Sequence, residues 1–60
     1  MEFDKSVYKK KYLIKSIKEV EQDYKIKVNY TETDKYLIIP NKDYAIKVAD
    51  YYIYIYNENK

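Results

Sequence analysis

The chain contains no glycine. Glycine ordinarily supplies backbone with φ > 0, so any left-handed turn or helix cap is expected to fall on Asn or Asp. Phosphate-cradling loops of the G-x-x-x-x-G-K-[ST] and G-x-G-x-x-G kinds are excluded with it. Cys and His are missing too. Disulfides and the usual zinc ligands are thereby removed, together with the thiol nucleophile and the side chain most used as a base near neutral pH. The expectation is a non-enzymatic protein with no catalytic residues, no metal and no cofactor.

Sixty residues allow one domain, spanning 1–60, with 1–3 and 57–60 expected to fray. A domain of this size buries only about 60% of the surface its unfolded chain exposes, and small folds usually add a staple. With disulfides and metals excluded, the staple left is a partner: a homodimer or docking onto a larger protein. The formal net charge is +2, far from the basic extreme of dedicated nucleic-acid binders. No apolar run approaches the roughly 20 residues of a membrane span. Met1-Glu2-Phe3-Asp4 carries acid where a secretory leader carries base. No membrane association is expected, and the location is expected to be cytoplasmic. The alphabet of Lys, Tyr, Ile, Asn, Asp and Glu is that of AT-rich coding sequence, as in low-GC bacteria and their phages.

Residues 4–22 read as a helix. Phe3, Val7, Leu13, Ile14, Ile17 and Val20 fall within an arc of about 140° at 100° per residue. Asp4, or alternatively Ser6, serves as N-cap, and 12–21 is the secure part. The period then changes from 3.6 to 2. Tyr24, Ile26, Val28 and Tyr30 alternate with polar residues, the pattern of a strand with one buried face. Thr31–Lys35 is a turn. Tyr36–Ile39 is a short strand ended by Pro40, which cannot donate to a ladder. Residues 44–56 admit two readings. Asn41 caps a helix through Tyr52, but Ile46 and Ile53 then lie off its apolar stripe. As a hairpin, Tyr44, Ile46, Val48, Tyr51, Ile53 and Ile55 share one face, at the expense of a poor Ala49-Asp50 turn. The hairpin is favoured. The expected fold is α+β: one N-terminal helix packed on a small antiparallel β-meander, in the order α-β-β-β-β.

On that fold Tyr52, Tyr54 and Tyr56 form an aromatic row on the open sheet face, beside Lys25, Lys27 and Lys47, and Tyr36 joins it when the first hairpin has an even-numbered loop. Aromatic strand pairs stabilise sheets on their own account, and tyrosine is also enriched at binding hot spots. These seven residues are the expected partner-binding set. Lys11, Lys15 and Lys18 form a ridge on the helix, read either as a solvated face or as phosphate contacts. Asp23, Asp34, Asp43 and Asp50 sit at element ends, where turn and capping roles suffice, and the chain is too short to enclose a ligand pocket of about 300 Å³. No small-molecule substrate is expected.

The leading expectation is a small protein-binding module, an inhibitor or modulator of another protein. Its size and composition are those of the inhibitors that phages and mobile elements encode, including ones directed at host defence. The alternatives are a nucleic-acid-binding protein using the Lys and Tyr surfaces and a structural subunit of a larger assembly.

Overall fold

The computed structural model describes residues 1–59 and has the element order β1 (Glu2–Asp4), α1 (Lys10–Tyr24), β2 (Thr31–Glu32), β3 (Tyr36–Ile38) and α2 (Lys42–Glu58). It is a small α+β fold with two helices and a three-stranded antiparallel sheet. The expected α-β-β-β-β layout is corrected in three places: a strand precedes the first helix, the sheet has three strands, and the C-terminal third is helical.

The N-terminal residues are not frayed. β1 pairs with β3, setting Phe3 against Leu37, and β2 pairs with the other edge of β3, so the sheet order is β1-β3-β2. Phe3 was expected on a helix stripe; it is fully buried on the sheet instead. Asp4 caps a turn rather than a helix. Its Oδ1 accepts from the Ser6 N–H at 2.8 Å and from Ser6 Oγ at 2.7 Å, and these bonds hold its carboxyl below the usual range. Val7, expected in the core, is 69% exposed in this turn.

The helix therefore starts at Lys10, later than the expected residue 4. Its N-cap residue, Lys9, offers no side-chain cap, but the Lys9 N–H donates to the Tyr52 hydroxyl at 2.8 Å. Leu13, Ile17 and Val20 are buried at the expected spacing, and Ser16 lies among them. Its hydroxyl donates to the Tyr12 carbonyl at 2.6 Å, one turn back, so a polar group sits in the core without loss of pairing. The helix stops at Lys25, with φ 54° and ψ 49°, whose N–H donates to the Glu21 carbonyl. The left-handed cap thus falls on Lys, not on the expected Asn or Asp. Lysine is not β-branched, and capping the helix here frees Ile26 and Val28 to turn inward.

Residues 25–30 keep the alternation read from the sequence but are not a strand. Val28 is buried and Ile26 half-buried, while Lys25, Lys27 and Asn29 face out. The Val28 N–H donates to the Glu21 carboxylate at 2.8 Å instead of to a ladder partner. Tyr24 and Tyr30, expected inside, are exposed. The turn expected at 31–35 contains β2, and β3 matches the short strand expected before Pro40.

Residues 44–56 are not a hairpin. Asn41 caps α2, its side chain accepting from the Tyr44 N–H at 3.2 Å, and Asp43 in the first turn complements the helix dipole. The buried set is Ala45, Val48, Tyr52 and Ile55, a spacing of 3, 4 and 3 that belongs to a helix and cannot belong to a strand. α2 runs on to Glu58, so 57 and 58 are helical rather than frayed. Tyr12, early in α1, meets Tyr52 and Tyr56 late in α2, whereas Asp23 and Tyr24 meet Tyr51 and Lys47. The two helices therefore pack in opposite directions, and with the sheet they enclose one core of Phe3, Leu13, Val20, Leu37, Ile39, Val48 and their neighbours.

Candidate interaction surface

The helical geometry of α2 breaks up the expected tyrosine row. At 100° per residue, Tyr52 and Tyr56 lie one turn apart on one side and Tyr54 lies on another. Tyr52 is 6% exposed and belongs to the core. Its ring meets Tyr8 edge-on at 5.0 Å and Tyr12 at 6.2 Å, and stacks on Tyr56 at 5.9 Å. Phe3 joins through Tyr8. This aromatic chain links β1, α1 and α2 and explains four of the ten tyrosines as packing.

The remaining predicted residues do not converge. Tyr54 is 63% exposed and Tyr56 partly so. Tyr36 lies on β3 and is in none of the aromatic pairs among the described residues. Lys25 is the α1 cap, and Lys27 is exposed in the following segment. Lys47 lies on α2 with its Nζ 5.1 Å from the Tyr24 ring centre, a cation–π contact. On α1, Lys11, Lys15 and Lys18 are all exposed along one side and form no ion pair among the described residues. The ion pairs that do form bring Lys5 and Lys10 to Glu32, and these two lysines hold the Glu32 carboxyl below its ordinary value.

Two features escaped sequence reasoning. The first is the outer face of α2, where Ile46 is 45% and Ile53 59% exposed. The signal was present: both residues fall off the buried stripe of a helix, which counted against the helix rather than for a surface. The second is an open groove of about 360 Å³ between the helices, lined by Glu19, Asp23, Asp50, Tyr51 and Tyr54. Asp23 and Asp50, expected to serve only element ends, share it. The Tyr51 hydroxyl donates to Asp23 Oδ2 at 2.7 Å, and this bond, with burial and the carboxylate charge, pushes the phenol up to about 12. The Tyr54 phenol is raised by its hydrogen bond to Glu58. Both tyrosines therefore stay neutral in ordinary buffers and act as donors rather than as bases.

Fold and surface together define a small α+β domain whose second helix is buried on one side and carries isoleucine and tyrosine on the other. No protein-family model matches the chain, and no curated protein or solved structure is detectably similar to it. Among the described residues, no helix is long and apolar enough to cross a membrane.

Proposed function

We propose that the chain is a non-enzymatic protein-binding module that modulates the protein it binds, with the outer face of α2 as its contact surface. The observation that carries this reading is the exposure of Ile46 and Ile53 on one side of α2, with Tyr54 and Tyr56 exposed to either side of them. A water-facing helix position gains nothing from isoleucine, which has lower helix propensity than Lys or Glu. Presented to a groove on a partner, the same side chains supply the spaced apolar anchors of helix recognition. The assignment moves from the sheet face expected from sequence to a helix face. Inhibition in the manner of phage-encoded antagonists is the mode that the size and composition of the chain favour.

The test is affinity purification of the tagged chain from its native host, with and without nuclease. The expected outcome is a protein retained after nuclease and at about 0.5 M salt, where exposed charge pairs are screened, and lost from an Ile46→Ser/Ile53→Ser variant of unchanged helicity. The exposed row of Lys11, Lys15 and Lys18 supports a second reading, contact with nucleic acid. Binding of that kind weakens steeply with salt and disappears with nuclease.

A further inference from the structure

We infer that the outer face of α2 pairs with α2 of a second copy of this chain, in antiparallel, two-fold symmetric packing; this rests on reading that face as a protein contact. Ile46, Ala49, Ile53 and Tyr56 follow one another at intervals of 3, 4 and 3. That is the spacing of a seam between paired helices, and it lies about 100° around α2 from the buried stripe. Ile46, Ile53 and Tyr56 are exposed and Ala49 is half-buried. Ala49 packs against the edge of the core and the Tyr56 ring stacks on Tyr52, so a partner helix reaches the seam along its outer edge, where Ile46 and Ile53 are exposed.

The shape of the seam selects the direction. A two-fold axis level with residue 51 places Ile53 of each copy over Ala49 of the other, and Ile46 against Tyr56. Every contact layer then sets large against small, or branched aliphatic against aromatic, as close packing of helices requires. Parallel pairing sets Ala49 on Ala49, leaving a gap at the centre, and Lys42 on Lys42 at the helix start.

The area fits a dimer of modest strength. The exposed parts of Ile46, Ile53 and Tyr56 amount to about 300 Å² of residue surface, most of it apolar, near the scale at which a monomer's largest patch is often a contact site. α2 is about 25 Å long, and pairing along it with rim residues included buries on the order of 500 Å² per copy, below the standard interface of about 800 Å² per partner. The total surface is 4384 Å², so the pair removes a share typical of small-protein interfaces. An interface of this size belongs with weak, transient contacts, and dimerisation is expected in the micromolar range. One residue opposes it: Asp50 flanks the seam near the axis and faces its own copy.

Sedimentation equilibrium between about 5 and 500 µM brackets that affinity. The wild-type chain is expected to pass from monomer to dimer across this range. Ile53→Glu is expected to remain monomeric with unchanged helical circular dichroism. Asp50→Lys mixed with wild type is expected to form a heterodimer at least about threefold tighter than either homodimer, the gain of an opposite charge pair over a like pair at an exposed site. A monomer throughout, an undiminished Ile53→Glu dimer, or no heterodimer preference overturns the inference. If the wild-type chain stays monomeric while host-protein capture still depends on Ile46 and Ile53, self-pairing fails and the binding-module reading stands. If that capture is also absent, both fall.

Discussion

Adjacent residues Tyr52 and Ile53 should respond to substitution in opposite ways, and the contrast separates the helix from the hairpin. A tyrosine buries about 150–250 Å² of side chain. At 6% exposure nearly all of the Tyr52 ring is out of water. At about 25 cal/mol per Å², its loss in Tyr52→Ala costs about 4 kcal/mol. The Lys9 N–H also loses its acceptor, a further cost of about 1 kcal/mol where water replaces the bond imperfectly. The higher helix propensity of Ala returns about 0.5 kcal/mol. A 60-residue domain has a total stability of roughly 3–9 kcal/mol, so Tyr52→Ala should be largely unfolded. Tyr52→Phe keeps the ring and should lose about 1 kcal/mol. With a urea slope near 1 kcal/mol per M, that lowers the midpoint by about 1 M. Ile53 is 59% exposed; its partial burial is worth about 1 kcal/mol, and Ile53→Ala should change stability by less than that because helix propensity offsets it. Urea titrations of the three variants followed by circular dichroism give the comparison. A hairpin with Tyr52 outward and Ile53 inward inverts the order. A stable Tyr52→Ala beside an unfolded Ile53→Ala would refute the packing of α2.

Three further outcomes follow from local geometry. Lys25→Gly relieves the left-handed backbone at φ 54° and should raise stability by about 0.5–1 kcal/mol, read from the urea midpoint. Asn41→Ala removes the acceptor for the Tyr44 N–H and should lower it by about 1 kcal/mol, whereas Asn41→Asp should not. The Tyr51–Asp23 bond has a pH signature. Because the folded phenol titrates at about 12 against an ordinary 10, its contribution is complete below pH 10 and disappears as pH rises towards 12. Tyr51→Phe should lack this alkaline loss in thermal melts, and an identical alkaline profile for both proteins would show that the bond contributes nothing.

The parts of the fold legible in the sequence are those whose signal is local and whose period is clean. Leu13, Ile17 and Val20 mark α1 because charged residues separate them. Tyr36–Ile39 reads as a strand because Pro40 ends it, and β3 covers its first three residues; the inward turn of Ile26 and Val28 survives although no partner strand receives them. β1 was not legible. Three residues carry no period, and Phe3 finds Leu37 only across 34 positions of chain. Lys25 was not legible because a left-handed cap on Lys has no compositional signature.

The misreading of α2 has a different cause, and that cause bears on function. From Tyr51 to Tyr56 every residue is Tyr or Ile, so neither a period of 2 nor one of 3.6 stands out. The decision passes to the ends: Asn41 caps a helix well, and Ala49-Asp50 turns a hairpin badly. A helix made from such a segment has more apolar side chains than one core-facing stripe can bury. Tyr52 and Ile55 go inside, and Ile46, Ile53 and Tyr54 are left in water. A helix selected only to close this core would carry charge at those positions, as α1 does at Lys11, Lys15 and Lys18. The ambiguity of the sequence and the exposed face of the structure are therefore one property. Residues in excess of the needs of the fold obscure the period, and the same excess is what a second surface, packed from outside, would use.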